Sequence, residues 1–461
     1  MKKTLLVAAI ILILGVLGGS GWIYWYSVTT QSVPAIVRFI PSFAPDLPRV
    51  PLTPTNGENT DPESFGIDMT LVEKDLDIPQ QYAIGALETP RSILLPKDAE
   101  ANVFVSGLKK IRMMAFSPDW WPAGGGILYA TEQKPGRVLA FPDRDGDGVA
   151  DEVVIVVAGL INPHGIAFFD NALWIATETR VLRYHDFDGD LIPERFDTVI
   201  DGLPGGGNHK TRTIAFDQQG RLYVSVGSGC NVCEEDARRG AVLRFNRDGS
   251  NEEIFASGTR NAVGITFGKD PWNPEEEVLW GTENGRDWLG DDLPPDEVNL
   301  FREGKNYGWP YCYADRVPDR TFKALTSAGE PISSFCAGTL APIVKIQAHT
   351  APLGLRFLDD EHIPEPLRGD MLVALHGSWN RSDPVGHEII RISGLYPDGG
   401  GTPQPYISTL LDFKAKGARD WARPVDVVVG PGGTIYITDD AAGAIYRMEF
   451  IDQAPEVLEV D

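Results

Sequence analysis

Apolar residues along this chain fall in short runs whose side chains alternate with polar neighbours, separated by Gly, Asp or Asn, and the arrangement recurs. Each copy reads as an apolar run usually ending in Phe, a Gly or Asp turn, a run often containing Leu-Trp or Leu-Tyr, and a third run often ending in Arg and an aromatic or apolar residue. A period of two predicts strands. The copies cover 111–116, 127–131 and 137–141; 165–169, 173–177 and 181–184; and 212–216, 222–226 and 242–245. They continue at 262–267, 278–283 and 297–301; 353–357, 371–375 and 389–392; and 425–429, 434–438 and 444–448. Six units, each too small to bury its own face, predict blades packed side by side and closed radially: an all-β, six-bladed β-propeller. The outer strand of the closing blade is expected from the segment before the first unit, near 82–93. A pair of β-sandwiches or an open solenoid is the alternative.

Composition agrees with many short strands and tight turns, with 49 Gly, 35 Pro and 10% aromatic residues. A formal net charge of -24 repels phosphate backbones and anionic lipid, which argues against nucleic acid as a partner. Lys2 and Lys3 precede an apolar run from Leu5 to Tyr26 that carries Trp22, Tyr24 and Trp25. This predicts residues 1–27 as a signal anchor or transmembrane segment with the bulk of the chain outside the cytoplasm. Gly18, Gly19 and Ser20 offer the alternative of a cleaved signal and a secreted protein. Residues 28–66, with Pro34, Pro41, Pro45, Pro48, Pro51 and Pro54, read as an extended linker that tethers a propeller domain over 67–461 to the inner membrane.

Four cysteines in an oxidising compartment predict two disulfides, with Cys230 to Cys233 and Cys312 to Cys336 the expected pairing and a four-Cys zinc site the alternative. The segment 302–348 holds Cys312 and Cys336 and is expected to be an ordered insertion overhanging one end of the channel. Asp143, Asp145 and Asp147 with Asp151, and Asp186, Asp188 and Asp190 with Glu194, place carboxylates at alternate positions in equivalent turns, as calcium loops do. Asx turns without a metal explain the same spacing.

Residues at the entrance of an innermost strand face the channel of a propeller. His209 and Arg212, Arg260 and Asn261, and Arg423 occupy such entrances in three units. His209 is the candidate general base, since an imidazole takes a hydroxyl proton near neutral pH. The arginines suit a planar anionic ligand with several carboxylates. His349, His376 and Trp379 come from the fifth unit, and Trp379 is placed to stack on a flat ring. His164 reads as a satisfied buried histidine.

The segments GGGNHKTRTIAF, GSGCNVCEE, ASGTRNAVGITF, TENGRDWLGDDLPPDEVN, NYGWPYCY, HTAPLGLRF, ALHGSWNR and RPVDVVVGPGG, in order across 67–450, resemble the sorbosone and soluble glucose dehydrogenase family of quinoproteins. The resemblance implies oxidation of a sugar, sugar aldehyde or polyol with pyrroloquinoline quinone held at the channel mouth and calcium against it. It implies His209 as the base, Arg260 with Asn261 on the cofactor and its reacting carbonyl, Arg423 on a carboxylate, and backbone carbonyls of Gly285 and Arg286 on calcium. Arg212, His349, His376 and Trp379 complete the expected cofactor-binding set. An electron acceptor such as a cytochrome or membrane quinone is implied as a partner. The chain departs from the glucose-oxidising branch at Val263, where that branch has Gln, and at His376–Gly377, where it has a cofactor-binding Lys. A calcium-dependent propeller lactonase or esterase and a non-catalytic binding module are the competing functions.

Overall fold

In the computed structural model, which describes residues 68–185, 187, 189–397, 402–413 and 421–451, every repeat becomes an antiparallel sheet with strands in chain order. The expected span 1–27 and linker 28–66 lie outside these residues. Among the described residues no helix is long and apolar enough to cross a membrane.

The innermost strands are Ile111–Phe116, Ile166–Phe169, Ile214–Phe216, Ile265–Asp270, Pro352–Phe357 and Pro424–Val429, which number the blades one to six. Each packs against the next and the sixth packs against the first, so the ring is closed. The second strands Leu128–Glu132, Ala172–Ala176, Leu222–Val226, Met371–Leu375 and Ile435–Asp439 are buried at every position. Blades flank both of their faces, which makes these runs almost continuously apolar.

Each blade has a fourth, outer strand that the apolar pattern did not mark, such as Val154–Ala158, Arg195–Asp201 and Glu253–Ser257. These three strands are only partly buried, and none repeats the sequence of its counterparts in other blades, so the recurring pattern does not reveal them. Blade six takes its outer strand from Ala99–Ser106, paired antiparallel with Ala444–Phe450 from Ala444 opposite Ser106 to Phe450 opposite Ala99. This corrects the expected closing segment: 82–93 instead follows two short 3-10 turns into Ser92–Pro96. That strand pairs with Leu71–Asp75 and with Tyr406–Asp412, extending blade five. Gly85 and Pro90 interrupt the expected segment, whereas Val103, Phe104 and Val105 supply the buried apolar run that closure requires.

A threonine near the end of the second strand joins neighbouring blades. Thr131 Oγ1 donates to the carbonyl of His164 at 2.7 Å, Thr282 Oγ1 to that of Leu353 at 2.7 Å, and Thr438 Oγ1 to that of Arg112 at 2.9 Å. Across the channel, Met113, Val263, Leu353 and Val425 from four blades belong to one apolar cluster and plug the axis.

The insertion 302–348 is ordered, and its Trp309, Tyr311 and Asp319 contact Asn231, Glu234 and Arg286 in the loops beside the strand entrances. Lys305–Asn306 runs parallel to the outer strand of blade three, and Val344–Ile346 supplies the outer strand of blade four. Between them Tyr311, Cys312, Ile332 and Cys336 form a small core of their own. Both expected disulfides are present, Cys230–Cys233 and Cys312–Cys336.

The chain zigzags outward through each blade, so entrance loops and the turns between second and third strands share one end of the ring. Turns leaving the third strands lie at the other end. Both Asp-rich loops, between Arg137–Phe141 and Val154–Ala158 and between Arg180–His185 and Arg195–Asp201, therefore sit opposite the strand entrances.

Blade packing depends on close backbone approach at Gly264, where an added Cβ would lie 2.1 Å from the Leu353 carbonyl oxygen. Gly264→Ala should therefore destabilise the domain by about 3 kcal/mol, the scale of overpacking a tight interior, and lower its urea unfolding midpoint. An unchanged midpoint would contradict the blade contact.

Candidate active site

At the entrance end a cavity of about 460 Å³ opens above the apolar plug. Blade one contributes Lys110 and Arg112, blade three His209, and blade six Arg423. Blade four supplies Arg260, Asn261, Asn284, Gly285, Asp287 and Asp296. Blade five supplies His349, Ala351, Leu353, His376, Trp379 and Asn380, among others. His209, Arg260 and Arg423, distant in sequence, thus line one space.

The tautomer of His209 follows from its partners. Nδ1 lies 2.9 Å from both the carbonyl oxygen and Oγ of Ser228, and Ser228 Oγ spends its own hydrogen on the Cys230 carbonyl at 2.7 Å. Both neighbours of Nδ1 are therefore acceptors, so Nδ1 carries the proton and Nε2 keeps a lone pair. Burial first, then the charge of Arg260, holds this imidazole well below its usual pKa. Close backing of the ring is permitted by Gly227, where a Cβ would meet His209 Cβ at 2.6 Å.

Arg260 is clamped. Its Nε donates to the Asn231 carbonyl at 3.0 Å, Nη1 to the Asn284 carbonyl at 3.2 Å, and Nη2 to Asn231 Oδ1 at 3.0 Å and Asp287 Oδ2 at 2.9 Å. Four of the five guanidinium hydrogens are thus committed, leaving one on Nη1. The backbone N–H groups of Arg260 and Asn261 both donate to Glu283 Oε1, at 2.6 and 2.8 Å. The same device recurs around the ring: Glu132 accepts from Lys109 N at 2.6 Å and Asp439 from Arg423 N at 2.8 Å. An acid directly after each stitching threonine holds the entrance loop of its own blade.

Opposite His209 lies a cationic wall. Asp440 accepts from Lys110 Nζ and Arg112 Nη1 at 2.9 Å each and from His376 Nε2 at 3.0 Å, while Arg423 Nη2 donates to His376 Nδ1 at 3.0 Å. Burial alone would raise Asp440, but the His376 hydrogen bond and the neighbouring cations hold its carboxyl well below the usual range. Burial pushes His376 down to about 4 against the pull of Asp440, so it is neutral and links anion to cation. Lys110, Arg112 and Arg423 thus bring three cationic side chains to one wall of the cavity. Arg112 Nε is buried and without a hydrogen-bond partner among the described residues.

Two carboxylates complete the site. Asp296 accepts from Gly285 N at 2.8 Å and Ala351 N at 2.9 Å, and burial pushes it up to about 6. Asp287 accepts from Arg260 and from Asn380 Nδ2, the latter at 3.0 Å. His349 Nε2 donates to the Gly290 carbonyl at 2.9 Å. Trp379, 36% exposed, meets Trp288 edge-on at 5.7 Å on the rim.

Several expected residues lie elsewhere. Arg212 is fully buried and donates to the carbonyls of Pro204, His209 and Thr211, so it props the His209 loop and does not face the cavity. The Arg286 side chain turns to the insertion, pairing with Asp319 at 2.8 Å; Gly285 remains on the cavity wall. His164 is buried between Arg112 Nη2 and Thr213 Oγ1, each at 3.3 Å, as a satisfied structural group. In the first Asp-rich loop, Asp143, Asp145 and Asp151 offer oxygens within 4.8 Å of one another, while Asp143 and Asp147 also accept backbone N–H groups as in Asx turns. In the second, Asp190 accepts from Ile192 N, Glu194 is exposed, and Asp186 and Asp188 lie outside the described residues. Neither loop reaches the cavity.

Lys110, Arg112, Asn284, Asp287, Asp296, Asn380 and Asp440 were not anticipated. Lys110 and Arg112 stand at the entrance of the first unit, and Asn284 and Asp440 follow the repeated Thr-acid pair, so the register of the repeat marks all four.

A family model described as TrAA12-like matches residues 94–450. The chain belongs to the TrAA12-like family. Its sequence is 27% identical over 274 residues to aldose sugar dehydrogenase YliI of Escherichia coli, spanning 55% of this chain and 64% of that protein. It is 27% identical over 366 residues to a pyrroloquinoline quinone-dependent pyranose dehydrogenase of Coprinopsis cinerea, spanning 68% of this chain and 49% of that one. The chain thus spans less than two thirds of either dehydrogenase. An uncharacterized Borreliella burgdorferi protein is 29% identical over 311 residues, covering 65% of this chain and 78% of that protein. The holo pyranose dehydrogenase PQQ domain of Coprinopsis cinerea superposes with a TM-score of 0.64 at 20% identity, covering 81% of this chain and 98% of that domain. A Trichoderma reesei AA12 enzyme gives 0.63 at 21% identity, covering 78% and 97%. These structural likenesses establish the TrAA12-like chain's six-bladed fold.

Burial pushes the Glu283 carboxyl up to about 8, outweighing the hydrogen bonds from Asn261 and Arg260, and its Oε2 has no partner among the described residues. The folded state retains this proton where the unfolded chain has lost it, so stability falls as pH rises from about 4.5 through about 8. Glu283→Gln should remove that loss. Its melting temperature should exceed wild type by about 2 °C at alkaline pH and not at acid pH, as read by a thermal melt at each.

Proposed function

We propose that this protein is a quinoprotein dehydrogenase that oxidises a sugar or sugar aldehyde with pyrroloquinoline quinone and calcium. The observation that carries the reading is one cavity with a neutral, tautomer-locked His209 on one side and the cationic side chains of Lys110, Arg112 and Arg423 gathered on the other. Such a wall suits a flat ligand bearing several carboxylates. The names of the sugar dehydrogenases among its relatives point the same way.

Lys110, Arg112 and Arg423 would hold the quinone's carboxylates, and the remaining Nη1 hydrogen of Arg260 would meet a ring oxygen. Backbone oxygens at Gly285 and Arg286 and the remaining lone pairs of Asp296 are donors of the kind calcium takes. When bound, the quinone supplies the two-electron acceptor that takes hydride from the sugar carbon. His209 Nε2 removes the hydroxyl proton from that same carbon's oxygen, and Ser228 keeps Nδ1 protonated while it does so. Arg260, fixed by Asp287 and Asn231, offers its charge to the oxygen that becomes negative. The apolar plug forms the floor of the cavity.

The apolar run near residue 5 supports a membrane tether that would bring the site near a cytochrome or membrane-quinone acceptor. Formed disulfides accord with an oxidising compartment outside the cytoplasm. A hydrolytic calcium site calls for carboxylates converging on the metal. Here the lining carboxylates are Asp287 and Asp296, and Asp287 is already bound by Arg260 and Asn380, so carboxylates do not converge on a metal, which favours the redox reading.

Protein reconstituted with the quinone and calcium should reduce an artificial acceptor when given aldoses. His209→Ala should lower turnover at least about 10³-fold while absorbance titration shows unchanged cofactor uptake. Hydrolysis of lactones with no need for the quinone would overturn the proposal. In the same titration Arg423→Ala should weaken quinone binding by about 10- to 100-fold, the worth of a charge-assisted hydrogen bond.

A further inference from the structure

Asn231 sits inside the short loop closed by Cys230–Cys233, and its polar groups are spent on the active site. Its carbonyl accepts from Arg260 Nε at 3.0 Å and Trp309 Nε1 at 3.3 Å. Its Oδ1 accepts from Arg260 Nη2 at 3.0 Å and Asp287 N at 2.9 Å, and its Nδ2 donates to the Asp287 carbonyl at 3.3 Å. The loop reaches His209 as well. Cys230 takes the Ser228 hydroxyl hydrogen at 2.7 Å, which makes Ser228 an acceptor for His209 Nδ1. Gly229 N is bound by Glu235 at 2.8 Å, and Arg239 joins Glu235 to the carbonyls of Gly205 and Gly206 before His209. One small loop therefore contacts the supports of both the base and the arginine.

The two disulfides differ in access. Cys312 and Cys336 are buried in an apolar core, whereas Cys230 and Cys233 are partly exposed. A water-soluble dithiol can reach the second pair first: the S–S bond breaks, two thiols form, and the dithiol becomes a disulfide.

We propose that Asn231 is a positioning residue that aligns Arg260 with His209, and that the Cys230–Cys233 bond holds it in register, so that reducing this bond slows sugar oxidation while the propeller stays folded. The proposal rests on the dehydrogenase reading above. Asn231 touches neither substrate nor base; it acts through Arg260 and Asp287.

The test uses quinone-loaded protein, D-glucose and an artificial acceptor. Asn231→Ala should lower kcat about 10- to 100-fold with KM changed less than about threefold and quinone uptake retained. Asn231→Asp, which keeps the Oδ1 acceptor, should recover part of kcat. His209 faces Arg260, Arg212 and Arg239, and loosening Arg260 should move the acid limb of kcat/KM to higher pH. Wild-type enzyme treated with a dithiol, and the Cys230→Ser, Cys233→Ser double variant, should show the same kcat loss and retain a folded melt. Unchanged kcat in Asn231→Ala and in the reduced enzyme overturns the proposal, as does unfolding on reduction, which would make the bond a general staple. Failure of untreated wild type to take up the quinone or oxidise any aldose overturns the dehydrogenase reading instead.

Discussion

Every blade here has two apolar faces and no means of covering either alone, so the structure depends on each sheet finding a neighbour on both sides. A linear stack would leave two terminal faces wet; a ring leaves none. The last pairing needed is that of Ala99–Ser106 with Ala444–Phe450, which joins the chain before the first repeat to the chain after the sixth. Threonine hydroxyls at the blade junctions and the close approach at Gly264 add direction to packing that would otherwise only be greasy.

Closure also makes the site. Six innermost strands begin at the same end, so their entrance loops must converge there whatever residues they carry. An acid following the stitching threonine converts that convergence into fixed geometry: Glu283 under Arg260 and Asn261, Asp439 under Arg423, Glu132 under Lys109. The scaffold and the chemistry are thus supported by adjacent residues of one short sequence signature.

Charge inside the cavity runs against charge outside it. The protein is strongly acidic, yet Lys110, Arg112 and Arg423 meet around Asp440 with neutral His376 between them. Burying Arg112 in this way is costly unless it is paired, and Asp440 supplies the pairing. Cations gathered on one cavity wall suit an anionic ligand even though the protein as a whole is acidic. His209 stays neutral first because it is buried and then because a second positive charge beside Arg260 is disfavoured.

What the sequence by itself determined was the set of elements repeated six times: three strands per blade and the entrance positions, among them His209, Arg260 and Arg423; the cysteine pairing it left open to the structure. These are legible because burial on both faces and sharp turns leave local marks that recur. Most outer strands are partly solvated and carry no such mark, and the closing strand, Ala99–Ser106, stands outside the six repeats, so it was placed too early in the chain. Side-chain direction was equally hidden. Arg212 and Arg260 both stand at strand entrances, but only the folded backbone turns one under the His209 loop and the other to the cavity wall. Lys110, Asp287, Asp296 and Asn231 gained their roles from contacts across blades or loops distant in sequence, and such contacts exist only once the ring has closed. Periodicity reports what one strand buries; tertiary structure alone decides which groups meet across the axis.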